Sequence, residues 1–232
     1  MANLFRKLGN SVLDLLFPLE CLHCGGEGQY LCADCFQKLK INTPEDLDRA
    51  KINLQVPDLT EIYIAGDYED KVLSKLIIKY KYNFLSPLGK ILAGFLINFW
   101  KTLELQKIAG VRSVPKLASI LVIPIPLSQK RLRWRGFNQS EIIAREFSAS
   151  FNYELNLDLK RLKHRPPQAG LNEAERLVTI HSVFSWVGPS LSGQIIILID
   201  DVTTTGATLN EAARILKLAG ASQIYGLVLA KG

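Results

Sequence analysis

Short, uninterrupted apolar runs alternate with stretches of helical spacing along most of this chain. Ile62 to Ala65, Ile120 to Ile125, Ile195 to Ile199 and Ile224 to Ala230 are dense in apolar and β-branched residues, which predicts buried strands. Between and around them, Lys71 to Tyr82, Leu88 to Leu105, Asn138 to Phe151 and Ala207 to Ala219 predict helices. Strands without polar alternation need cover on both faces, so the pattern predicts an α/β domain with a parallel sheet flanked by helices. Near the start, Leu4, Leu8, Val12 and Leu15/Leu16 mark one more amphipathic helix, stopped by Pro18. Ile41 to Leu59, with Pro44, Pro57 and many charges, reads as a linker, and Leu159 to Leu177 as a basic, Pro-containing loop. Four parts follow: an amphipathic helix over 1–18, a cysteine module over 19–40, a linker over 41–60 and the main domain over 61–232.

With 232 residues, 48% of them hydrophobic, the chain can bury one full core and carry a small appendage. The formal net charge of +6 draws phosphates, nucleic acid or an anionic membrane surface without choosing among them. No transmembrane segment is expected, since Ile91 to Trp100 is bounded by lysines and is far short of the roughly 20 residues a span needs. Arg6, Lys7 and Asp14 interrupt the first helix, which makes a poor signal peptide. Its expected role is packing against the body, with contact at a membrane surface as the alternative.

All four cysteines fall between Cys21 and Cys35, a clustering typical of metal ligands, and this favours a reducing cytoplasm. Cys21, Cys24, Cys32 and Cys35 form two C-x2-C knuckles able to surround one Zn2+ tetrahedrally. Four protein sulfurs leave no position open for water, so the ion is expected to be structural. A redox C-x-x-C needs only one pair, and an iron–sulfur cluster is the remaining alternative.

The sharpest constellation is I-I-I-L-I-D-D-V-T-T-T-G-A-T, Ile195 to Thr208. A buried strand here ends in two carboxylates, and a hydroxyl-rich turn opens a helix. Unpaired amides and the positive dipole end at a helix N-terminus bind an anion, and Gly206 lets backbone approach a phosphate closely. Asp200 and Asp201 are placed to accept hydrogen bonds from a sugar diol beside that phosphate. Phosphate plus diol points to a ribose 5-phosphate unit, with Thr203, Thr204, Thr205, Gly206, Ala207 and Thr208 as its phosphate contacts and Asp200 and Asp201 as the catalytic acids. An ordinary helix cap is the bland alternative, but two acids and three threonines exceed what a cap requires. Neither a Walker A loop nor a dinucleotide fingerprint occurs. The turn resembles the signature of type I phosphoribosyltransferases.

Two basic stretches accompany it. Ile123 to Gln139 holds Lys130, Arg131, Arg133 and Arg135 with Trp134 and Phe137, suited to diphosphate or to unpaired bases; a solvated basic face is the alternative. Arg133, Arg135, Gly136, Asn138 and Gln139 are the candidate diphosphate or DNA contacts here. Gln168 and Arg176 join them from the second stretch, which is long enough to close as a lid. His164 and His181 receive no role.

F-P-x-x-C-x-x-C, the I-P-I-P strand end, R-G-F-N-Q, P-P-Q-A-G-L-N-E-A-E-R and D-D-V-T-T-T-G-A-T together resemble the ComF family of competence-associated, phosphoribosyltransferase-like proteins. The resemblance spans residues 16 to 231 and is strongest after residue 119. It implies a type I phosphoribosyltransferase fold, Mg2+-assisted binding of phosphoribosyl diphosphate and, in transformable bacteria, handling of incoming single-stranded DNA beside a helicase-like partner. It assigns Asp200 and Asp201 to the ribose diol and metal, Thr204 to Thr208 to the 5-phosphate, and Arg135 to Gln139 to diphosphate or DNA. Either Lys79 or Lys81 reaches the site. In the lid, Arg165 stands where the family often has Thr, and Val178-Thr179-Ile180 lacks the Asn expected before Phe184.

Three functions compete. A phosphoribosyltransferase needs a hood that recognises an acceptor, and no acceptor pocket is visible in the sequence. A binding module would use the ribose-phosphate site and basic loops to grip single-stranded DNA or sense a metabolite. An adaptor would dock a helicase through the zinc module. The expected location is the cytoplasm, with attachment to the inner-membrane surface as the variant.

Overall fold

The computed structural model describes residues 19–83, 85–108, 120–162 and 183–232. The helix expected over 1–18 lies outside the described residues, as do Lys163 to Ser182, with Arg165, Gln168, Arg176 and both unassigned histidines.

Seven strands and seven helices are described: α1 (Ala33–Gln37), α2 (Pro44–Ala50), β1 (Glu61–Asp67), α3 (Lys71–Tyr82), α4 (Leu88–Ile108), β2 (Ile120–Pro124), α5 (Gln129–Arg135), α6 (Gln139–Phe151), β3 (Glu154–Leu155), β4 (Leu159–Arg161), β5 (Phe184–Trp186), β6 (Ile195–Thr203), α7 (Ala207–Leu218) and β7 (Gln223–Lys231). Five strands form one sheet in the order β1-β7-β6-β2-β3, and every pairing in it is parallel. The predicted parallel sheet flanked by helices is therefore present.

Local chemistry explains the elements. Asp70 caps α3 by accepting from the amides of Val72 and Leu73, and Leu73, Leu76, Ile77 and Tyr80 are buried at helical spacing along it. Central β6 buries Ile196 to Ile199 completely, each worth about 1.5–3 kcal/mol of apolar transfer. Trp100 on α4 meets Tyr63 edge-on at 5.6 Å and Phe147 of α6 at 5.7 Å, tying both helices to the sheet.

Three segments differ from the sequence expectation. Residues 41–60 hold a helix: Pro44 opens α2, Thr43 and Asp46 form a reciprocal capping box, and Leu47 is fully buried. The segment docks on the sheet through the Asn42 amide to the Ala65 carbonyl (2.8 Å) and the Thr60 amide to the Ile224 carbonyl (2.7 Å). Within the first basic stretch, Ser128 caps the short α5, which ends at Gly136 with φ +77°. The start of the second stretch is strand β4, antiparallel to β5.

Candidate functional site

Strand β2 is shorter than its neighbour β6. Pro124 pairs with Ile199, the Ile125 amide adds one more bond to the Ile199 carbonyl (2.9 Å), and the chain then leaves the sheet through Pro126. On its other side β6 stays paired with β7 as far as Thr203 opposite Lys231. Asp200 and Asp201 thus stand at a step where one edge of β6 has lost its partner strand.

These two acids have different surroundings. Lys81 Nζ lies 2.9 Å from Asp201 Oδ1, and both side chains are largely buried. Of the two lysines that the sequence left open, Lys81 makes this contact. Ser140 Oγ donates to Asp200 Oδ1 at 2.8 Å. Burial first, and the Asp201 charge second, push the Asp200 carboxyl up to about 7, against the Ser140 hydroxyl that favours the ionised form. Two carboxylates face one lysine, so the step keeps acidic character that suits a hydrated Mg2+.

The turn after β6 is built for close approach. Gly206 stands at the N-cap of α7 with φ +82° and has no side chain to cap it, while the Ala207 amide donates to Thr205 Oγ1 at 3.4 Å. The helix start otherwise keeps the positive end of the dipole. Thr204, Thr205, Ala207 and Thr208 are exposed around it, whereas Thr203 is buried inside β6. The turn is braced from residues 51–60: the Gln55 amide donates to the Thr205 carbonyl (3.1 Å), and a Cβ on Gly206 would collide with Val56.

Beside the step, α5 and α6 present the R-G-F-N-Q segment. Arg135 is 8% exposed and donates to Gln139 Oε1 at 3.1 Å; Gln139 is buried and its carbonyl accepts from Tyr80. Asn138 Nδ2 donates to the Ile125 carbonyl, pinning α6 to the end of β2. Arg135 Nε, Asn138 Oδ1 and Gln139 Nε2 are buried without a partner among the described residues, a polar demand that a bound anion with water can meet. Arg133 is exposed on α5. The Arg135 guanidinium lies 5.5 Å from the Tyr82 ring and 5.8 Å from the Trp134 ring, with those rings 6.1 Å apart and both more than half exposed. Burial, then the Arg131 charge, lower the pKa of Arg161 on β4, while Asp200 opposes them, so β4 feels the same field. Tyr82 and Ser140 were missed in the sequence. Ser140 adjoins R-G-F-N-Q, but its partner lies 60 positions away.

The four cysteine sulfurs lie within 4.8 Å of one another, and Cys24 and Cys32 are 3.7 Å apart. A tetrahedral ion with bonds of about 2.3 Å places its sulfurs about 3.8 Å apart, so the donor set fits one zinc ion. Cys21 also accepts from the Cys32 amide. Burial raises the Cys21 thiol, but the amides of Cys24, Cys32 and His23 outweigh it and bring the value down to about 6. Cys35 goes the opposite way, to about 12, first through the Cys32 side chain. One thiolate forms readily and further ionisation is resisted, a conflict that a divalent cation relieves. Lys75 on α3 donates to the Leu22 carbonyl at 2.6 Å, joining this knuckle to the domain.

A parallel sheet with an acid pair and a glycine-opened helix at its carboxyl edge defines the class of phosphoribosyltransferase-fold proteins, and the phosphoribosyl transferase domain family model matches residues 109–232. Competence protein F of Haemophilus influenzae is 30% identical over 92% of this chain and 86% of its own length. Competence protein ComFC of Streptococcus pneumoniae is 32% identical over 67% of this chain and 61% of its own length, and DNA utilization protein YhgH of Escherichia coli is 26% identical over 72% and 70%. The chain belongs to the ComF family. Among the described residues, no helix is long and apolar enough to cross a membrane.

Proposed function

We propose that the chain binds phosphoribosyl diphosphate with Mg2+ at the end of β6 and acts in the handling of single-stranded DNA in the cytoplasm. The observation that supports this reading is the N-terminus of α7, opened by Gly206 without a capping side chain at that position and one turn after an acid pair on a strand edge that β2 no longer covers. Thr204 to Thr208 hold the 5-phosphate, Asp200 and Asp201 take the ribose diol, and Arg135 to Gln139 face the diphosphate. Mg2+ facing the acid pair neutralises diphosphate charge. The relatives' names, competence and DNA utilization, support the DNA side. The Tyr82–Trp134 pair with Arg135 offers ring faces and a cation to unpaired bases. A helicase-like partner belongs to the same reading, with residues 19–40 as the docking part.

Calorimetry with phosphoribosyl diphosphate and Mg2+ tests the first half: Asp200→Asn/Asp201→Asn should lose at least tenfold in affinity, and equal affinities would defeat the assignment. For the second half, Trp134→Ala should weaken binding of a labelled oligonucleotide by about 5- to 100-fold, the range of one lost stacking contact. Affinity should also fall steeply with salt.

A second reading is a working transferase, for which a cavity of about 470 Å³ at the carboxyl ends of β1 and β7, lined in part by Asp46, Arg49, Tyr68 and Lys231, offers space for an acceptor.

A further inference from the structure

The turn between β6 and α7 does little to hold itself. Gly206 brings no capping side chain, and the turn's own contribution is one long bond, the Ala207 amide to Thr205 Oγ1 at 3.4 Å. Residues 51–60, the segment that reads as a linker, cross this turn as a strap. One end is tied by Lys231 Nζ to the Ile52 carbonyl at 2.9 Å. The other is tied by the Thr60 amide to the Ile224 carbonyl (2.7 Å) and the Ile224 amide to Thr60 Oγ1 (3.0 Å). Between these ties the Gln55 amide donates to the Thr205 carbonyl, and Val56 lies against Gly206.

Asn210 joins strap and helix. Its backbone amide donates to the Gly206 carbonyl at 2.9 Å and closes the first turn of α7. Its side chain makes a reciprocal pair with Asp58: the Asp58 amide donates to Asn210 Oδ1 at 2.8 Å, and Asn210 Nδ2 donates to Asp58 Oδ2 at 3.0 Å. A side-chain amide offers one acceptor and one donor side by side, which is what a backbone N–H next to a carboxylate requires. Both residues are half-buried, and Lys217 of α7 adds a second contact to Asp58 at 3.8 Å.

We infer that Asp58 and Asn210 are positioning residues for the proposed 5-phosphate site: they act through the turn, holding Thr204 to Thr208 in the shape that receives the phosphate. The inference rests on the ribose-phosphate reading above and deepens it. An anion held by backbone amides needs several N–H groups aimed at one point, so a small rotation of the turn weakens all of them together. Helix α7 alone does not prevent that rotation, because Thr204 and Thr205 precede its first bond; the strap reaches them through Gln55. Asparagine is also a poor helix former. Its place in the first turn of α7 is accounted for by the pair with Asp58, not by the stability of the helix.

The test compares the full-length wild type, Asn210→Ala and the exchanged pair Asp58→Asn/Asn210→Asp. Alanine removes the pair while improving the helix, and the exchange restores a donor opposite an acceptor. Calorimetry gives the affinity for phosphoribosyl diphosphate with Mg2+, NMR gives hydrogen exchange of the Gln55 amide without ligand, and urea melts verify that each variant folds. Asn210→Ala should weaken the affinity and speed the exchange, each about tenfold. The exchanged pair should bring both back to within about threefold of wild type. A residue that only stabilised the fold would move the urea midpoint and leave the affinity of the folded protein unchanged. The proposal is overturned if Asn210→Ala keeps wild-type affinity, if its Gln55 amide exchanges as in wild type, or if the exchanged pair restores neither. Should wild type itself ignore phosphoribosyl diphosphate, the ribose-phosphate reading fails, and the exchange data alone decide: faster in Asn210→Ala and restored by the exchanged pair, the clasp stands as the brace of the turn; unchanged, it fails too.

Discussion

Asp200 and Asp201 are consecutive residues of one strand, yet Asp200 takes its hydrogen bond from Ser140 of α6 and Asp201 its ion pair from Lys81 of α3. Two helices that are distant in sequence therefore converge on adjacent carboxylates, and the charge at the step depends on both.

The raised value of Asp200 gives the unliganded protein a definite response to pH. In the unfolded chain an aspartate titrates near 3.9, whereas in the fold it titrates at about 7. Between these values the native state keeps a proton that the unfolded state has lost, so stability falls as pH rises from about 4 to about 7. Urea unfolding across that window should show the decline, and Asp200→Asn should flatten it and raise stability at pH 8. An unchanged slope in the variant would place the titration elsewhere.

Gly206 meets two constraints at once: a left-handed φ of +82° and the Val56 side chain against its α-carbon. Gly206→Ala should destabilise the chain by about 1–3 kcal/mol and weaken phosphoribosyl diphosphate binding. Adding Val56→Ala should recover only the steric part. Full recovery in urea melts would mean that the backbone conformation costs nothing.

The sulfur cluster predicts one zinc ion per chain by elemental analysis, absent from Cys24→Ser/Cys32→Ser. Metal removal should expose residues 19–40 to protease and lower the thermal midpoint. Iron in place of zinc, with a brown chromophore, would point to a cluster instead.

How legible each part was follows from where its partners lie. Strand β6, the acid pair and the opening of α7 are contiguous, so apolar run, acids and hydroxyl-rich turn could be read in one pass. The cysteine cluster was readable for the same reason. Helix α2 was hidden although its signals were present, Pro44 at the first turn and Thr43 with Asp46 as a box, because the charges around them outweighed a seven-residue helix. The choice between Lys79 and Lys81 was a matter of helix phase: at 100° per residue the two point to opposite sides, and only the packing of α3 decides which one faces β6. The contacts of Asp58 with Asn210 and of Ser140 with Asp200 join positions 152 and 60 residues apart, and no local pattern announces them.

The early end of β2 has an implication for tolerance to change. Were that strand to run two residues further in register, its backbone would cover the exposed flank of β6 and fill the space that the proposed function gives to the sugar. On that reading an insertion near Pro126 abolishes recognition while altering none of the proposed contact residues, so the length of a bystander strand is itself under constraint.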